Sequence, residues 1–305
     1  MSALSFAFYP GCSGSGTSKE YDKSTRAVCK ALDIELKDVP DWSCCGSTPA
    51  HMVDHALSTA LAARNLAQAE QTGLSHTITP CPSCLKNLHN AIEHLSEPGF
   101  KEKVDYLTQT PLTMEHKVSS VLQVIYENVT PEDIAKKIKK PLKGLKLITY
   151  YGCLMTRPGR SMHFDDEENP ISMDRIMEAA GAEVLPFPLK AECCGASFGI
   201  PRADVVAKLS GRILKLAASL GADAIVAACP LCQMNLDLRQ GQANSANKTD
   251  VKLPVFYYTQ LLGLALGVDA SALEFGKLVV DPKPVLKKLD EAAQSKAATT
   301  EEAKS

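Results

Sequence analysis

Short apolar runs alternate along the chain with longer stretches in which apolar side chains recur every three or four residues. Leu4–Tyr9 is an apolar run stopped by Pro10-Gly11 and predicts a strand. Ile34–Val39 roughly alternates apolar with polar, and His76–Thr79 is a short apolar segment; both predict strands. Between them lie helical patterns. One spans Ser18 to Leu32. A second starts with Thr48 as N-cap and Pro49 at the first helical position, runs through Met52, Ala56, Leu57, Leu61 and Leu66, and stops at Gly73. A third carries Leu85, Leu88 and Ile92 on one face from Cys84 onward. The same order returns further on. Leu145–Tyr151, Glu183–Phe187 and Ala224–Ala228 predict strands, and Ser172–Ala180 predicts a helix. Beyond Pro201, Val206, Leu209, Ile213, Leu216 and Leu220 form a helical stripe that ends at Gly221. Residues 100–140 read as mostly helical, and the stretch from residue 292 shows no apolar pattern. Strand–helix alternation of this kind implies parallel α/β units. The expected fold is therefore α/β, with two pseudo-symmetric, duplicated lobes, each a short, mainly parallel sheet flanked by helices. The expected boundaries are 1–140, including a helical linker, then 141–275, then a largely disordered tail over 276–305.

The cysteines show the duplication directly. Of eleven, ten fall into two sets of the same order: Cys12, Cys44-Cys45 and Cys81-Pro-Ser-Cys84, then Cys153, Cys193-Cys194 and Cys229-Pro-Leu-Cys232. The intervening gaps are 31 and 35 residues in the first set and 39 and 34 in the second. Flanking residues agree: Tyr9-Pro-Gly-Cys12 parallels Tyr151-Gly-Cys153, and Gly46 parallels Gly195 after the cysteine pairs. Cys12, Cys81, Cys153 and Cys229 follow predicted strands, where ligands sit in parallel sheets.

Composition narrows the chemistry. The chain has 305 residues, with 33 basic and 35 acidic side chains and a formal charge of −2, which removes the electrostatic case for a nucleic-acid binder. No apolar run reaches the ~20 residues of a membrane helix, so no membrane span is expected. The first residues lack the basic and apolar regions of a signal peptide, so a cytoplasmic location is expected. Thiols in a reducing compartment point to metal or redox chemistry rather than to structural disulfides.

A structural zinc site takes four ligands in a tetrahedron, and each set here offers five. Adjacent Cys44 and Cys45 point in different directions and strain to share one ion, whereas they easily reach different metals of a cluster. Soft thiolates select zinc, copper(I) or iron–sulfur clusters. The spacing lacks the crowded C-x2-C-x2-C run of ferredoxins. Five scattered thiolates therefore favour an iron–sulfur cluster of unusual type, with zinc as the alternative. Gly11, Gly14, Gly16, Gly46, Gly152 and Gly195 lie beside the candidate ligands, where backbone passes close to sulfur or simply turns.

The pattern C-x31-CC-G-x34-CPSC, repeated as C-x39-CC-G-x33-CPLC, resembles the CCG-domain family, and within it the catalytic B subunit of heterodisulfide reductase and its bacterial homologues. Leu61-Ala-Ala-Arg-Asn-Leu66, Tyr151-Gly-Cys153 and Thr259-Gln-Leu-Leu-Gly-Leu264 match as well, and the resemblance covers about residues 4–268. It implies that residues 1–140 and 141–275 are two CCG cluster-binding domains, each holding one non-cubane 4Fe–4S cluster. The first would use Cys12, Cys44, Cys45, Cys81 and Cys84; the second, Cys153, Cys193, Cys194, Cys229 and Cys232. A disulfide held between the clusters would be split or made there, each sulfur taken by a cluster iron. Electrons would pass through an iron–sulfur C subunit to or from a flavin-containing A subunit. The sequence YPGCSGSGTSKEYD and the alanine-rich tail look more like bacterial members than methanogen ones, and the resemblance extends to the bacterial sulfur-oxidising branch, which implies a lipoate-binding carrier protein as a further partner. The chain is thus expected to be an oxidoreductase subunit acting on sulfur groups. The competing readings are an electron-transfer subunit whose clusters never touch substrate and a zinc-stabilised scaffold.

Other residues carry weaker signals. Arg157, Arg160 and His163 follow the first ligand of the second set and are candidates to line the entrance for an anionic or thiol substrate. Cys29 belongs to neither set and is expected to be a buried small side chain. His51 and His55 are four apart on a helix, but no HExxH motif supports a metal there. Trp42 is expected to pack beside the first set, Asp165–Glu168 to form a solvated loop, and the basic run Lys136–Lys143 to form a solvated hinge.

Overall fold

The computed structural model describes residues 4–47 and 49–302, with residue 49 and residues 295–302 described as backbone only. Thr48, the expected N-cap, lies outside the described residues. The first sheet contains β1 (Leu4–Phe8), β2 (Ile34–Asp38), β3 (His76–Thr79) and β4 (Lys117–Ser120), in the order β2-β1-β3-β4. The second contains β5 (Lys146–Tyr150), β6 (Glu183–Val184), β7 (Ala224–Ala227) and β8 (Val255–Tyr257), in the order β6-β5-β7-β8. Every strand pairing is parallel. The two orders match strand for strand, so the duplication in sequence is a duplication in topology. In each sheet the chain leaves its first strand to one side and returns on the other. This reversal opens a crevice at the carboxyl ends of β1 and β3, and of β5 and β7.

Three elements differ from the sequence reading. The stretch 100–140 is not helical throughout. Its helices Pro98–Thr108, Val121–Asn128 and Pro131–Lys137 are interrupted by β4, which completes the first sheet. Four residues reading KVSS carry too little apolar periodicity to announce a strand. β8 is hidden in another way, because its apolar run passes without a break into the helix Tyr258–Leu266. β6 stops at Val184, short of the expected Phe187, because Pro186 and Pro188 have no amide to give to the ladder.

The lobes interlock rather than hang from a hinge. The helix Lys19–Ala31 of the first lobe packs on Tyr258–Leu266 of the second, and Ser172–Ala179 of the second packs on Val121–Asn128 and Pro131–Lys137 of the first. One core therefore contains residues of both sheets, among them Phe6, Phe8, Val28, Leu147, Phe256 and Leu261. Ser24 and Thr259 hydroxyls meet at 2.7 Å across this junction, where neither is exposed. The basic run is pinned as well. Lys137 pairs with Asp33 at 2.6 Å and Lys140 with Asp290 at 2.7 Å, and the amides of Lys139 and Lys140 both donate to the carbonyl of Ala265.

The expected tail contains the helix Lys283–Glu302. Val285 and Leu289, one helical turn apart, insert into the shared core at 5% and 3% exposure. A two-residue stripe is too short to stand out from the polar, alanine-rich sequence that follows it. Leu289→Ala is expected to lower the unfolding free energy by about 2–3 kcal/mol, measured by urea denaturation. A loss below about half a kcal/mol would mean that this helix is not docked.

Candidate metal centres

In each lobe the chain passes from a strand end straight into a cysteine. β1 runs through Tyr9-Pro10-Gly11 into Cys12, and β5 through Tyr151-Gly152 into Cys153. β3 and β7 lead to Cys81 and Cys229, which stand at the N-cap of the helices Pro82–Leu95 and Pro230–Leu236 with proline at the first turn. Cys84 and Cys232 follow inside that turn. The adjacent pairs lie after β2 and β6. All ten cysteines thus come to the carboxyl edges of their sheets, five on each.

Close contacts draw part of each set together. Cys45 and Cys84 sulfurs meet at 3.4 Å, and Cys194 and Cys232 sulfurs at 3.6 Å. The first cysteine's loop is brought against the same sulfur by a glycine. Gly11 and Gly152 have φ of +71° and +72°, and a Cβ on them would lie 3.0 Å from Cys84 Sγ and 2.8 Å from Cys232 Sγ. Only glycine allows both the left-handed backbone and this approach. The amides of Gly46 and Gly195 point at Cys44 and Cys193 sulfurs at 3.5 and 3.3 Å.

Polar side chains repeat this scaffolding in both lobes. Tyr9 donates its hydroxyl to the carbonyl of Ser43 at 2.7 Å, and Tyr150 donates to that of Glu192 at 2.5 Å, each just before a cysteine pair. Tyr150, not Tyr151, is therefore the counterpart of Tyr9, because both stand three residues before their cysteine. Asn87 donates to the carbonyl of Cys45, while Asn235 donates to that of Ala196 at 2.9 Å and lies 3.5 Å from Cys194 Sγ. Ser210 donates to the carbonyl of Cys194 at 3.1 Å. In the second lobe a buried network backs the first cysteine. Lys190 pairs with Asp174 at 2.6 Å, Tyr151 donates to Asp174 at 3.0 Å, and the amides of Tyr151 and Gly152 donate to the carbonyl of Lys190.

The electrostatics favour thiolates within each set. Hydrogen bonds from Cys44 and Cys84 hold the Cys45 thiol far below its usual range, and the same shared protons push Cys44 and Cys84 up. Cys193 is held down by a hydrogen bond from Cys153, and Cys194 by one from Cys232. Deprotonated sulfur is the form that binds metal. Among the described residues no three His, Cys, Asp or Glu side chains close on one point as a single ion requires. The sulfurs of Cys45 and Cys84 and of Cys194 and Cys232 contact in pairs, while Cys12 and Cys44 stand exposed; soft sulfur donors suit iron or zinc.

Comparison with known proteins agrees with this geometry. A family model described as "Cysteine-rich domain", named CCG, matches residues 6–89 and 147–237, one match per lobe. The chain belongs to the CCG cysteine-rich domain family. Its relatives include the Wolinella succinogenes protein named 8-methylmenaquinol:fumarate reductase membrane anchor subunit, 38% identical over 90% of this chain and 97% of that one. The B subunit of the ferredoxin/F(420)H(2)-dependent CoB-CoM heterodisulfide reductase of Methanosarcina acetivorans is 32% identical over 88% of this chain and 91% of its own. A Helicobacter pylori protein of known crystal structure superposes with a TM-score of 0.73 at 14% identity. It covers 91% of this chain, which spans about half of that longer protein, and it supports the fold alone. No helix among the described residues is long and apolar enough to cross a membrane.

Between the two CCG cysteine sets lies a feature that the sequence does not announce. Tyr21 of the first lobe and Tyr257 of the second stack face to face, with ring centroids 4.0 Å apart and planes within 4°. Both are fully buried, and both feel Cys81 on one side and Cys229 on the other. Tyr21 also donates to the carbonyl of Ala228 at 3.2 Å, next to Cys229. Tyr21 reads from sequence as one more residue of a helix, and Tyr257 as part of an apolar run.

The remaining candidates separate. Arg157 is taken up by its own loop, donating to the carbonyl of Glu167 and the carboxylate of Glu168, both at 2.8 Å. Arg160 and His163 are exposed on the segment that carries Met162 across to the first lobe, where Met162 is buried with Cys81 and Cys84. His51 and His55 rings meet edge to face at the surface. Trp42 packs edge-on against Tyr9 at 5.6 Å. Cys29 is buried in the shared core, and burial pushes its thiol up to about 12.

The glycine contacts are testable against an internal control. Gly221 also has positive φ, +74°, but a Cβ there meets nothing within 4 Å. Gly152→Ala and Gly221→Ala are each expected to cost about 1–2 kcal/mol for the backbone alone. Only Gly152→Ala is expected also to lower bound iron, measured per folded chain. Equal iron in the two variants would show that the glycine does not position Cys232.

Proposed function

We propose that the chain is the catalytic iron–sulfur subunit of a heterodisulfide reductase-like complex, an oxidoreductase that makes or cleaves a disulfide between two non-cubane 4Fe–4S clusters. The observation that carries this reading is that two five-cysteine sets lie at the carboxyl edges of two sheets with the same strand order, in lobes that share one core. The first cluster is assigned to Cys12, Cys44, Cys45, Cys81 and Cys84, and the second to Cys153, Cys193, Cys194, Cys229 and Cys232. When bound, the clusters deliver or take up single electrons and act as Lewis acids toward thiolate sulfur. Cleavage consumes two electrons and two protons and turns one disulfide into two thiols; the oxidative direction reverses this.

The chain's own residues supply the rest. Gly11 and Gly152 let the first cysteine approach its set, and Tyr9 and Tyr150 fix the loops before the cysteine pairs. Amides of Gly46 and Gly195 donate toward sulfur and stabilise its negative charge. Arg160 and His163 are proposed to meet the substrate at the lobe junction. The relatives named as subunits support assembly into a complex, and the partners proposed here are an iron–sulfur C subunit and a flavin-containing A subunit. The bacterial sulfur-oxidising branch, with a lipoate-binding carrier as partner, is the specific setting we propose.

Cys194→Ala is expected to lower iron content and abolish disulfide turnover without unfolding the chain, as checked by circular dichroism. Adding a dithiol to the oxidised wild-type protein is expected to produce a new paramagnetic signal. An unresponsive cluster would identify an electron-transfer subunit, and zinc without acid-labile sulfide would identify a scaffold; either overturns the proposal.

A further inference from the structure

A cavity of about 240 Å³ lies in the first lobe, away from the cysteine sets. Its apolar walls come from Ala63, Ile92, Leu95, Val104, Leu112 and Met114, the last on its exposed side, and polar side chains complete the rim. Ile92 and Leu95 stand eight and eleven residues beyond Cys84 on one helix, which places them about 12–16 Å along its axis. Lys101 and Asp105, paired at 2.5 Å, also line it.

One buried polar atom in the lining is left over. His116 has a side chain only 1% exposed, with its Nε2 2.9 Å from Glu70 Oε1. Glu70 is a carboxylate, since it also accepts the amides of Thr113 and Met114 at 2.8 and 2.9 Å and the hydroxyl of Thr113. An acceptor so placed fixes a ring proton on Nε2, and in the neutral imidazole Nδ1 is then a lone pair. That Nδ1 is buried without a partner. The hydroxyls of the lining are already used: Thr108 donates to the carbonyl of Val104, Ser96 to that of Ile92 and Thr110 to that of Thr108.

We propose that this cavity is a small-molecule site for an apolar, single-ring ligand that donates one hydroxyl to His116 Nδ1, a phenol by chemical class. The volume fits. A 150 Å³ apolar cavity takes benzene, so about half as much again admits a substituted ring. Met114 offers a thioether to the ring face or edge, and a buried lone pair discriminates strongly for a donor. Such a ring reaches the protein either as a free phenol or as the headgroup of a membrane-dissolved hydroquinone.

The test uses the full-length, metal-loaded protein, with phenol and toluene titrated against the Met114 methyl resonance. Phenol is expected to bind at least tenfold more tightly than toluene. His116→Phe is expected to erase that preference with iron content unchanged, and Ala63→Leu to abolish binding of both. A prenylated hydroquinone in micelles binding more tightly than hydroquinone itself identifies the lipid source; equal binding identifies the free phenol. Equal affinity for phenol and toluene, no saturable binding of either, which would leave a cavity filled by water only, or a preference that survives His116→Phe would overturn the proposal.

Discussion

The structure depends on how closely backbone can approach sulfur. In each lobe a sulfur of the CPxC turn sits within 3.0 Å of where a Cβ would stand, Cys84 against Gly11 and Cys232 against Gly152. That approach ties the loop after the first strand to the helix after the third strand. The cysteine pair is tied in by its own sulfur contact with Cys84 or Cys232. Parallel sheets present their strand ends on one side, so three loops distant in sequence deliver ligands to one place without any long-range guidance beyond strand order. Tyr9 and Tyr150 then lock the second loop to the first.

The second constraint is that neither lobe is complete without the other. Helices are exchanged across the junction, and the shared core includes residues from both sheets and from the C-terminal helix. The shared core packs the two lobes directly on each other. The stacked Tyr21 and Tyr257 rings fill part of the junction with close-packed, fully buried material. An arrangement in which two one-electron centres act on one two-electron bond requires a fixed distance, because the two halves of the substrate must be engaged together.

Much of this was legible in the sequence, and for a physical reason. Cysteine is scarce and chemically distinctive, so two sets of five in one order expose the repeat, which the matched strand orders and the two family matches bear out. Long amphipathic helices such as Ala203–Ser219 follow from a clean 3.6-residue period. What stayed hidden depends on tertiary contact. Lys117–Ser120 is polar and four residues long, and becomes a strand only because β3 offers its edge. Val285 and Leu289 dock a helix with two side chains. Tyr21 acquires its place from a partner 236 positions away in the chain. Arg157 looked available in sequence, yet its own acidic loop binds it, because the turn at Asp165–Glu168 folds back on it.

The central claim is that each five-thiol set encloses an iron–sulfide core. It is tested most directly by counting iron and acid-labile sulfide per chain in anaerobically purified protein, for the wild type and for one variant in each lobe, Cys45→Ala and Cys194→Ala. The account predicts iron and sulfide in equal amounts, with about half of both lost in either variant. Loss of all the metal in one variant and none in the other, or zinc in place of iron with no sulfide, would contradict it.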